Sequence, residues 1–138
     1  MTRQEFSSIL LEHRKASGTA VKDLCFQLNC MPTGIYRIEN GSHNYNMQKC
    51  LDYAKAIGVS LVLENTSLYE QIQDYDHMIT VLCDARRTMM SQAQLANSSG
   101  ISRNMIGKIE TRKSIVTIDM LLRLISVLGL SIKIIAHE

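Results

Sequence analysis

The sequence predicts a mainly α-helical protein made of two copies of one four-helix unit, each closed by a short β-strand. Composition and an internal repeat point there. Among 138 residues, one proline, seven glycines and 5% aromatics leave turn breakers and strand formers scarce, while 46% apolar residues suffice for a packed core. A shift of 71 positions aligns the chain with itself without a gap, pairing Leu24 with Leu95, Ile35 with Ile106, Glu39 with Glu110, Leu51 with Leu122 and Gly58 with Gly129. Most paired residues are apolar and recur at helical spacing, so they mark matching cores. The predicted units are residues 1–66 and 67–138. Units so small bury little surface alone and are expected to pack together.

In the first unit, helices are predicted over 2–16, 20–28, 32–40 and 47–57, with a strand over 59–64. Pro32 suits a first helical turn, where its missing donor is not needed. The fourth helix carries the stripe Met47, Cys50, Leu51, Ala54 and Ile57. In the second unit, the capping pair Ser67 and Glu70 and the stripe Leu68, Ile72, Tyr75, Ile79 and Leu82 predict a helix over 67–88. Ser91 and Gln94 form a second capping pair, opening a helix that ends at Ser99 and Gly100. Ser102 caps a third helix with Met105, Ile106 and Ile109 on one face. Thr117 caps a fourth, striped by Ile118, Leu121, Leu122, Ile125 and Leu128, and Gly129 ends it before a strand over 131–136. A lone strand leaves backbone groups unpaired. The two strands are therefore expected to pair antiparallel within one chain, making a pseudo-dimer; exchange between two chains, a homodimer, is the competing arrangement.

A net charge of +2 says little, but its distribution says more. Residues 85–113 hold six bases (Arg86, Arg87, Arg103, Lys108, Arg112, Lys113) against Glu110, for a net +5, whereas residues 64–77 hold four acids and no Lys or Arg. That asymmetry points to an anionic partner for the second unit. Cys25, Cys30, Cys50 and Cys83 lack CxxC spacing and read as reduced core thiols. The scattered histidines, the lack of a phosphate-binding glycine loop and the lack of metal-ligand spacing argue against catalysis, a cofactor or a metal. The apolar region 120–136 is interrupted by Arg123, Ser126, Gly129 and Lys133, so no membrane span is expected. The first residues have no signal-peptide core, and a cytoplasmic location is expected.

The segment SQAQLANSSGISRNMIGKIE, residues 91–110, resembles the Cro/C1-type (XRE) helix-turn-helix family, whose signature runs SQ..LA...GIS...I..IE. In the first copy MPTGIYRIENG resembles the same family's recognition helix and following turn, and KCLDYAKAIGVSL and DMLLRLISVLGLSI extend the likeness. The resemblance implies two tandem lambda-repressor-like units and a sequence-specific transcriptional regulator acting on double-stranded DNA. It implies that Arg103, Asn104 and Lys108 face base edges in the major groove. Arginine suits guanine and asparagine suits adenine as bidentate partners. Gln92 would touch phosphate and brace the reading helix, with Arg86, Arg87, Arg112 and Lys113 as further phosphate contacts. The first copy departs from the pattern, with Ala20 and Val21 in place of Ser91 and Gln92. Its reading face would be Thr33, Tyr36 and Arg37, either a second reader or a packing partner. Glu39 and Glu110 are expected to pair with bases of their own first helices, Arg14 or Lys15 and Arg86. The strand after each fourth helix also resembles antitoxins of kinase toxins, whose strands pair across a dimer. The alternative function is thus an antitoxin-like or protein-partner-binding module of a toxin–antitoxin operon, with a toxin protein as partner.

Overall fold

Side-chain caps and apolar stripes set most of the elements. In the computed structural model, which describes residues 1–137, the order is α1 (Arg3–Ser17), α2 (Val21–Leu28), α3 (Pro32–Asn40), α4 (Met47–Ala56), β1 (Val59–Glu64), β2 (Tyr69–Gln71), α5 (Tyr75–Met89), α6 (Gln92–Ser99), α7 (Arg103–Glu110), α8 (Ile118–Val127) and β3 (Ser131–Ala136). Thr2 and Glu5 form a capping box on α1, and Ser91 and Gln94 form one on α6. Ser102 and Thr117 cap α7 and α8 by accepting from Met105 and Met120 amides.

One predicted element differs. The helix expected over 67–88 begins only at Tyr75, capped by Asp74, whose side chain accepts from the His77 amide at 2.7 Å. Upstream, the Asn65 side chain accepts from the Ser67 and Leu68 amides at 2.8 Å, turning the chain back so that Tyr69–Gln71 pairs with β1. Leu68 and Ile72, four apart, share a face in a helix and equally in a strand, where Glu70 lies between them on that face. The unpaired edge of β1 decides it, because its backbone groups need partners that a helix cannot supply.

The sheet runs β2-β1-β3, antiparallel throughout. The expected pairing of the two strands over 59–64 and 131–136 is present, from Val59 opposite Ala136 to Glu64 opposite Ser131. Its centre pairs Val62 with Lys133, and a second bridge pairs Asn46 with Thr117; both are residues 71 positions apart. Around that bridge the Met47 amide donates to Val116 and the Ile118 amide to Tyr45, each at 2.9 Å. Correspondingly, α1 meets α8 and α4 meets α5. One apolar core runs through both halves, with Phe6, Leu10, Met47, Leu61, Ile79 and Ile118 fully buried. The cysteines are unbridged, and burial pushes the Cys50 thiol up.

Gly41 ends α3 with φ +64°, and a Cβ there would lie 3.0 Å from Gln4 Cα and 3.2 Å from Ser7 Oγ on α1. Gly41→Ala is expected to cost about 1–2 kcal/mol from the left-handed backbone, before any displacement of α1. A lowered urea midpoint with an unchanged slope is the expected signature.

Candidate nucleic-acid interface

The α6–α7 pair builds its open face from local rules. Gly100 closes α6, Ile101 is buried, and Ser102 starts α7. Ile106 and Ile109 turn inward, so at 100° per residue the opposite side of α7 carries Arg103, Asn104, Gly107 and Lys108. Arg103, Asn104 and Lys108 are exposed. Gly107 sits mid-face with nothing within 4 Å of where a Cβ would be. Glycine inside a helix is unfavourable by roughly 0.5–1 kcal/mol relative to alanine. In return, the α7 backbone can approach a partner closely.

Behind this face lies a polar brace. Arg86 donates to both oxygens of Glu110, at 2.6 and 3.0 Å, and to the Met90 carbonyl at 3.1 Å. Gln92 donates to Glu110 at 2.9 Å, tying the start of α6 to the end of α7. Burial pushes the Glu110 carboxyl up, but the bonds from Arg86 and Gln92 outweigh it, and the carboxyl titrates below its usual range. The first half repeats the arrangement with Arg14 on Glu39, and Tyr53 also donates to Glu39 at 2.6 Å. Both glutamates thus pair with the expected helix, and of Arg14 and Lys15 it is Arg14 that does so.

Two of the expected phosphate contacts are engaged within the chain. Arg86 is 9% exposed and committed to Glu110, so it supports α7 from inside rather than reaching outward. Arg112, at φ +63°, turns back onto α5, donating to Asp76 at 2.9 Å and Thr80 at 3.0 Å. The Arg86–Glu110 pair is the one expected from the sequence, whereas a charge count does not register Arg112, whose partner Asp76 lies 36 residues away. Arg87, Arg103, Lys108 and Lys113 remain exposed with no ion-pair partner among the described residues.

The α2–α3 pair has the same geometry and different chemistry. Ala20 gives α2 no side-chain cap. Thr33, Tyr36 and Arg37 are exposed on α3, beside Phe26 at 89% and Met31 at 72% exposure. The residues 71 positions on are Asn97, Ser102 and Gly107 for Phe26, Met31 and Tyr36. The one sequence signal for the exposure of Phe26 is its place two residues from Leu24, about 200° around α2 from that buried side chain. Among the described residues no group of three or more His, Cys, Asp or Glu side chains is placed to hold a metal ion. Among the described residues no helix is long and apolar enough to cross a membrane.

Two short helices joined by a tight turn, the second basic outside and apolar inside, form a helix-turn-helix motif. Residues 85–135, from late α5 to β3, match the model of the family described as helix-turn-helix. No curated protein and no solved structure matches the chain.

Proposed function

We propose that this protein is a sequence-specific DNA-binding transcriptional regulator of Cro/C1 type, reading the major groove with α7. The outward face of α7 carries the reading: Arg103 and Asn104 at its N-terminal end, Lys108 one turn on, and no carboxylate among them. Arg103 suits guanine and Asn104 adenine. Gln92, the first amides of α6, Arg87 and Lys113 then contact phosphate. Residues 1–66 and 67–138 are the two units of a tandem pair, and the chain is its own pseudo-dimer. Because α3 and α7 present different side chains, the operator is asymmetric, with its stronger half under α7.

Selection of bound fragments from genomic DNA supplies the site, and titration at several salt concentrations tests the roles. Arg103→Ala is expected to cost about 1–3 kcal/mol on the selected site and to relax discrimination at one base pair. Lys113→Ala is expected to weaken all sequences alike and flatten the salt dependence. A uniform loss for Arg103→Ala would remove it from the reading set. The exposed Phe26, Met31 and Tyr36 favour a second reading, an antitoxin-like module whose first unit meets a protein. Co-purification of a toxin in stoichiometric amount, lost on Phe26→Ser, would support it.

A further inference from the structure

The outer edge of β3 is open. The His137 amide donates to Gly58 at 2.8 Å, so alternate residues Ser60, Val62 and Glu64 bond toward β3. On the other side, Ile72 donates to Leu61 and Asn65 to Leu68, each at 2.8 Å, which assigns Leu61, Leu63 and Asn65 to β2. By the same parity Ser131, Lys133 and Ile135 face β1, while Ile132, Ile134 and Ala136 turn their N–H and C=O groups outward. Among the described residues no strand pairs with that edge.

A groove of about 500 Å³ runs beside it, between α8 and β3. Apart from Met1, every residue lining it, from Leu122 and Arg123 to Ile132, stands 71 positions after a residue lining the groove between α4 and β1, from Leu51 and Asp52 to Leu61. In that first groove the end of β2 and the chain just after it supply the wall, with Ile72 buried and hydrogen-bonded to Leu61. In the second, the equivalent place is taken by Met1, which is 56% exposed and pairs with no strand. The outward positions Ile132, Ile134 and Ala136 likewise stand 71 after Leu61, Leu63 and Asn65, the positions that bond β2.

We propose that the β3 edge is a docking slot for an extended acidic and apolar segment of a partner protein, added antiparallel as a fourth strand. The chemistry of the occupant follows from the two grooves. The segment that fills the first slot turns an apolar side chain, Ile72, into the groove and places an acid, Glu70, opposite Leu63 on the same edge. The open one replaces Asp52 with Arg123, the single charged side chain among its described lining residues, and Arg123 has no ion-pair partner there. A second copy of β3 fits less well, since Ser131–Ala136 brings no carboxylate to meet Arg123, and the one charge it carries, Lys133, is positive and already paired with Glu64. The inference is independent of how α7 meets DNA.

The test uses the isotope-labelled full chain and a synthetic peptide with the sequence of residues 65–73, the segment that fills the equivalent slot. Saturable shifts and slowed exchange are expected at the amides of Ile132, Ile134 and Ala136, with β1 amides unchanged. Ile134→Pro keeps the β1 pairing, because that amide points outward, and is expected to weaken peptide binding about tenfold. Arg123→Glu is expected to weaken it about fivefold. Unchanged edge amides at millimolar peptide would overturn the proposal. So would edge amides already protected in the dilute chain alone, or protection that grows with chain concentration together with a dimer mass.

Discussion

Glu39→Ala is expected to cost about 3–5 kcal/mol, the penalty for leaving a buried charge without its partner. Glu39 is 5% exposed and accepts from the Arg14 guanidinium and from the Tyr53 hydroxyl. Removing the carboxylate strands the Tyr53 hydroxyl in the core and leaves the Arg14 guanidinium, 15% exposed, with only its bond to the Thr19 carbonyl. Urea unfolding followed by circular dichroism measures the loss, and the double variant Arg14→Met, Glu39→Ala should recover much of it, because no charge is then left buried. A loss under about 1 kcal/mol would mean that the guanidinium reaches water when the carboxylate goes. The matching pair in the second half adds a pH dependence. The Glu110 carboxyl titrates below its usual range in the folded chain, so its contribution is present above that range and is lost as pH falls through the lowered value. Acid should therefore loosen the link between α5, α6 and the end of α7.

Ile118→Ala is expected to cost about 2–5 kcal/mol and to destabilise both halves together. Ile118 is fully buried and starts α8 beside the Asn46–Thr117 bridge, where its amide bonds Tyr45 of the first half. The cavity would open in the core that joins the halves, not inside either. Amide exchange read separately for α1–α4 and α5–α8 is expected to speed up equally in both. Two separated unfolding steps would show instead that each half holds itself together.

Local chemistry settles much of this protein in the sequence alone. The bounds 32–40 for α3 and 59–64 and 131–136 for the two long strands are met, because a proline start, glycine ends and short apolar runs are nearest-neighbour signals. The antiparallel pairing was also legible, since two lone strands at equivalent positions have backbone groups that only each other can satisfy. The open face of α7 follows from Ile106 and Ile109 turning inward, which helical periodicity alone dictates.

Tertiary structure decided where a residue has two locally acceptable states. The 68–72 segment could be helix or strand, and the free edge of β1 selects strand. The Arg86–Glu110 pairing was legible in the sequence, but that it buries Arg86 while the adjacent Arg87 stays exposed is set by which side of α5 faces α7. Arg112 looks outward in a charge count and folds back onto Asp76 from an element 36 residues away. Tyr53 carries no mark as a polar partner until α4 brings it beside Glu39. Sequence spacing encodes contacts within one helix or strand; pairings between elements depend on how the whole core packs, and here that core is shared by both halves of the chain.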